Sequence, residues 1–169
     1  MYMNNTKKIN MKYLPKNISF KDKKKQSKML KKSQKMYKKG LYYTRKKINS
    51  YKSKKSKHIT KALKIYNVKK IGATNELAKK TKCSKVSLQK IINKGEGAYY
   101  SSGSRPNQTA QSWGLARLAS SITSGKASIV DYHILEKGCQ KSSKALQLAK
   151  KLKRTTSKLR KSRKTNLLL

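Results

Sequence analysis

Acidic residues are nearly missing from this sequence: five Asp and Glu stand against 46 Lys and Arg in 169 residues, a formal net charge of +41. So few carboxylates leave few candidates for paired general acid/base work, and the charge density is foreign to ordinary cytosolic enzymes, so no enzyme is expected. Cysteine is scarce as well. Cys83 and Cys139 show no CxxC spacing and, with His58 and His133, lie too far apart for a zinc site. They read as small buried hydrophobes of a chain made and used in a reducing compartment, and a disulfide between them is not what the composition suggests. No run of about 18 apolar residues occurs, and no apolar stretch of signal-peptide length follows the basic N-terminus, so neither a membrane span nor signal-peptide secretion is expected. Gly95, Gly97 and Gly103 miss the GxGxxG spacing and there is no GxxxxGK[ST] loop, which leaves a nucleotide pocket, a cofactor or a small-molecule substrate without motif support. His133 lies two residues from Asp131, a spacing that shares a face in a strand and not in a helix; a catalytic set of these two with Arg105 would need an open cleft.

What is present is cation, unevenly spread. Apolar residues make up 35% of the chain, too few for one core across its whole length. Of the 46 basic residues 40 are Lys and six Arg, which favours many solvated point-charge contacts over guanidinium forks. Residues 1–70 carry 25 of them with one acid, Asp22, and residues 141–169 carry 11 with none. Between Gly95 and Cys139 four basic residues (Arg105, Arg117, Lys126, Lys137) face three acids (Glu96, Asp131, Glu136), a net of +1. The expected organisation is therefore a basic Lys/Tyr-rich arm over 1–60, a compact helical domain over 61–152 and a basic tail over 153–169.

Seven of the ten Tyr fall in the first 70 residues, where their rings can stack on bases or anchor the arm on a protein surface. Met29, Leu30, Met36 and Tyr37 repeat at seven and predict an amphipathic helix over 21–39, with Gly40 as its stop. The candidate anion-binding residues of this arm are Lys23, Lys24 and Lys25, then Arg45, Lys46 and Lys47, then Lys54 and Lys55. Arg154, Arg160 and Arg163 are their counterparts in the tail.

In the domain, Thr74–Lys82 and Val86–Asn93 read as two short helices ended by Gly95. ELAKKTKCSKVSLQKI is spaced like a helix-turn-helix, although plain helix packing carries more weight; what decides is whether Ser87, Gln89, Lys90 and Asn93 are free or covered. Lys94–Pro106, rich in Gly and Ser, reads as a loop. Its Arg105 either offers a guanidinium to an anion or, with greater weight, pairs with Glu96, Asp131 or Glu136, and is fixed in place in both cases. Thr109 caps a predicted helix from Ala110 to about Ser124 with Gly125 at C′, carrying Leu115, Leu118 and Ile122 on its core stripe and Trp113 at the centre of the small core. ASIVDYHIL reads as helix, with a short strand as the alternative, and Ser142 or Ser143 caps a last helix with Ala145, Leu148, Ala149 and Leu152. The fold class expected is mainly α, a small helical body with a Gly/Ser-rich loop flanked by basic arms.

The run GEGAYYSSGSRPNQTAQSWGLARLASSITSGKASIVDYHILEKGC, Gly95 to Cys139, resembles a small basic domain family of nucleocytoplasmic large DNA viruses. LPKNISFKDKKKQSKML, YYTRKKINSYKSKKSKH and NELAKKTKCS resemble it too, so the likeness spans roughly Leu14 to Lys150. Ser124-Gly125 stands where such sequences carry Gly-Gly. The resemblance implies a viral origin and a place in the virion, or in the viral factory, nucleus or cytoplasm of an infected cell, and it implies no activity. The function expected from charge is a small basic structural protein that binds nucleic acid, double-stranded DNA above all, largely without sequence specificity; 41 charges match about 70 Å of duplex. The alternative is a minor capsid or scaffold protein whose arms tie acidic capsid subunits or the inner membrane surface together.

Overall fold

The structure, a computed structural model, describes residues 9–165, with side chains described as far as 157. Over that span the chain is mainly helical. A 3-10 turn at Met11–Tyr13 precedes α1 Phe20–Tyr37, α2 Lys57–Tyr66, α3 Asn75–Thr81, α4 Lys85–Ser101, α5 Ala110–Ile122, α6 Lys126–Val130, α7 Tyr132–Gly138 and α8 Lys144–Thr165. The described residues hold no strand, only an isolated bridge between Cys83 and Cys139. They divide into two units: residues 9–54 with 96–113, and residues 55–95 with 114–165.

This division corrects the expected one, because residues 9–54 are not a free arm. In α1 the buried residues Gln26, Met29, Leu30 and Ser33 recur at helical spacing and leave Lys on the other sides. Ser19 caps the helix by accepting from the Asp22 N–H, and the chain turns off it through Gly40, at φ 76°. Met29 packs with Ile18 and Ile48, and Tyr43 and Tyr51 cover them. At about 1.5–3 kcal/mol for each fully buried large apolar side chain, so few residues make a small core. Polar bonds supplement it. The Asn107 amide donates to the Ile48 and Tyr51 carbonyls and accepts from the Ile48 N–H, while the Gln26 amide donates to the carbonyls of Tyr13 and Ser104. The charge count concealed this unit because its apolar surface comes from Tyr rings and a few single residues. Trp113 belongs here, half-buried and edge-on to Tyr13 at 6.1 Å, and is not the centre of a core as expected.

The second unit has the larger core. Ala62 and Tyr66 of α2, Leu77 of α3, Leu88, Ile91 and Ile92 of α4, Leu118 and Ile122 of α5, Leu135 of α7 and Ala145, Leu146 and Ala149 of α8 are buried together, with Leu115 half-buried against them. Tyr66 donates its hydroxyl to the Ile122 carbonyl, and burial pushes its pKa upward. The expected loop over Lys94–Pro106 is a correction: α4 runs on through Gly95 and Gly97 to Ser101. Gly95 does not stop the helix; it lets α5 approach, since a Cβ there would lie 2.6 Å from the Gly114 Cα. Thr109 caps α5 as expected, accepting from the Ser112 N–H. The left-handed residue at its end is Ser124, φ 54°, one position before the glycine expected there, and Gly125 donates back to the Ser120 carbonyl. ASIVDYHIL forms α6 and most of α7, and Ser143 is the cap of α8, accepting from the Leu146 N–H.

Candidate nucleic-acid interface

Phosphate contact requires cations that are exposed and not already neutralised. Among the described residues both ion pairs go to one carboxylate, Asp131, from Arg117 and Lys94. Asp131 is fully buried: it accepts from Arg117 at 2.8 and 2.7 Å and from the Ser121 hydroxyl at 2.8 Å, with the Lys94 ammonium 3.2 Å away. Burial alone would raise its pKa, but Arg117, Ser121 and Lys94 together hold the carboxyl below the usual range. This site is structural, since every bond that Asp131 makes satisfies a buried charge. Arg105 is not its partner. It lies exposed in the other unit and makes no ion pair among the described residues, so the expectation that it is fixed by a carboxylate fails. Arg117 has the place because it shares a helix face with Ser121, four residues on.

The other candidates divide sharply. Lys24 and Lys25 are exposed on α1 and Lys23 is half-buried; Lys46, Lys47, Lys54 and Lys55 are exposed in the segment after it. With Lys28, Lys31, Lys32 and Lys35, also exposed, α1 presents a lysine-covered side. Arg45 is the exception and a correction. It is buried, its guanidinium 3.6 Å from the Tyr99 ring centroid, donating to the Ser33 hydroxyl, the Tyr99 carbonyl and the Ser104 hydroxyl at 2.9, 3.0 and 2.8 Å. A planar fork suits that set of acceptors and that ring, which is why an arginine occupies the position and why it cannot reach an external anion. Of the seven Tyr expected to stack on bases, Tyr13 and Tyr66 are buried, Tyr37, Tyr43 and Tyr51 are half-buried, and Tyr42 is exposed; Tyr2 lies outside the described residues. On α8, Lys150, Lys151 and Arg154 line a shallow depression with Gln147 and Thr155. Arg160 and Arg163 lie beyond the described side chains.

A second basic surface is built on α3 and α4. Thr74 caps α3 by accepting from the Leu77 N–H, and Lys82, at φ 55°, ends it in the left-handed conformation. Ser84 then opens α4, its hydroxyl accepting from the Ser87 N–H. Leu77, Thr81, Cys83, Leu88 and Ile91 are buried, and the small Ala78 is half-buried against the same core. The three-residue turn is clamped from α7 and the segment after it. Ser84 N–H donates to Gly138, Gln140 N–H donates to Lys82, the Ser143 hydroxyl donates to Thr81, and Cys83 is disulfide-bonded to Cys139. The pair were expected as small hydrophobes; they are buried or half-buried, but joined. Of the four side chains whose exposure decides the reading, Ser87 is covered, and Gln89, Lys90 and Asn93 are free. Val86, expected among the apolar positions that pack the second helix, is instead exposed beside them, as is Lys85.

Residues 11–134 match a family model described as a family of unknown function, DUF5824. The chain belongs to this family. The DUF5824 match begins inside the segment expected to be an arm and takes in α3 and α4 whole. No curated protein and no solved structure matches the chain.

Proposed function

We propose that the protein is a small basic structural protein that binds double-stranded DNA largely without sequence preference and serves in packing it, within a virion as the resemblance implies. One observation carries this: of 46 Lys and Arg, only Arg117 and Lys94 are paired with a carboxylate, Asp131, among the described residues. Lysines held on folded surfaces lose less freedom on binding than those of a disordered tail, and each that meets a phosphate releases counterions. What weighs against an N-terminal arm threaded between capsid subunits is that residues 9–54 form a unit with 96–113.

The test is competition among unrelated duplexes for the full chain. Near-equal affinities, with an occluded length of up to about 20 base pairs, support the reading; an acidic protein surface that binds while duplexes do not would replace it. Proximity crosslinking of lysines in intact particles tests the location: crosslinks to the genome support packaging, and crosslinks confined to shell proteins support the capsid alternative.

A further inference from the structure

We propose that α3 and α4 form a helix-turn-helix whose second helix enters the major groove of double-stranded DNA and reads A·T-containing steps. This rests on the nucleic-acid reading above and adds a directional contact to it. A helix-turn-helix needs inward apolar residues on both helices, a small residue where they approach, a positive φ in the turn and a second helix whose N-terminal part is free. Here Leu77, Leu88 and Ile91 are buried in one core, the small Ala78 is half-buried against it, Lys82 has φ 55°, and the start of α4 is exposed.

The chemistry of the free face narrows the ligand. Val86, Gln89, Lys90 and Asn93 recur at three- and four-residue spacing and so share one side of α4. Amide side chains pair with adenine N6 and N7, and an apolar group meets the thymine methyl. Gln89 donates to the Asn93 carbonyl oxygen at 2.7 Å, so the two amides are oriented together. Val86 is 64% exposed, an apolar residue left in water at the point where a thymine methyl would lie. Lys79 and Lys80 on α3 and Lys85 at the start of α4 are exposed, placed for the phosphates that flank a groove. The clamp from Gly138, Gln140 and Ser143 sets the start of α4 before any ligand arrives, which removes an ordering cost on binding. Double-stranded RNA is excluded by the same geometry, because its major groove is too narrow for a helix.

The experiment uses the full chain with a duplex DNA pool randomised at its centre, selected at about 200 mM salt, where charge contacts weaken. The expected result is enrichment of a short A·T-containing motif. The double variant Gln89→Ala, Asn93→Ala then loses about tenfold or more on the selected site and keeps its affinity for unrelated duplexes at low salt. Lys31→Ala with Lys35→Ala, on α1, weakens both equally. Replacing thymine by uracil in the motif costs the wild type affinity and leaves Val86→Ser indifferent. All the substituted side chains are exposed, and circular dichroism checks that the variants fold. Binding of every duplex without enrichment, with Gln89→Ala, Asn93→Ala indistinguishable from wild type, overturns this inference and leaves the charge-based reading standing. Absence of any duplex binding at about 50 mM salt removes both.

Discussion

Arg45 sits against the Tyr99 ring with three oxygens in reach, none of them a carboxylate. Burial lowers its pKa, yet a guanidinium keeps its proton in such surroundings, so a cation is held there by dipoles and a ring face. Arg45→Lys keeps the charge and loses the fork, and is expected to cost on the order of 2–3 kcal/mol in urea unfolding. At Asp131 the sign runs with acid. Its folded pKa lies below the unfolded value of about 3.9, so its contribution is complete above that pH and is lost as pH falls through the lower folded value. Wild type should therefore lose stability on acidification below about pH 4 by a component that Asp131→Asn lacks. At neutral pH that variant should already be weaker by about 3 kcal/mol, because Arg117 and Lys94 lose their partner. Neither cluster was read from the sequence. Both join residues distant in the chain, Arg45 to Ser104 and Arg117 to Asp131, and local spacing reports only neighbours; the one local sign was the four-residue step from Arg117 to Ser121.

At the scale of elements, helix starts were legible where a cap hydroxyl preceded an apolar period, as at Thr109 and Ser143. The end of α4 was not. Gly95 and Gly97 look like breakers, but a glycine inside a helix also permits close packing, and only the position of Gly114 distinguishes the two uses. Gly95→Ala tests this. Helix propensity favours alanine by about 1 kcal/mol, while an added methyl 2.6 Å from the Gly114 Cα forces the helices apart, at about 1–3 kcal/mol. We expect the clash to win and the melting temperature to fall. The turn between α3 and α4 gives another prediction. Its disulfide spans 56 residues, so Cys139→Ser, or reduction, should destabilise the protein by about 4 kcal/mol on the chain-entropy account, measured by denaturant titration with and without reductant. Two distant cysteines in a lysine-rich chain gave no hint of that bond.

For the whole molecule, composition was informative about charge and misleading about shape. The mainly helical class followed from periodicity, but reading the first 60 residues as an arm treated lysine as a mark of disorder. In α1 the lysines occupy the sides of a helix whose fourth side carries Met29 and Leu30, and Tyr rings supply apolar surface that a charge count does not register. The claim that charge is held ready on folded surfaces is tested most directly by the salt dependence of duplex binding. For the full chain on duplexes of unrelated sequence, the logarithm of affinity should fall linearly with the logarithm of salt concentration, losing about a thousandfold or more between roughly 50 and 200 mM. An affinity that stays level across that range would contradict the account.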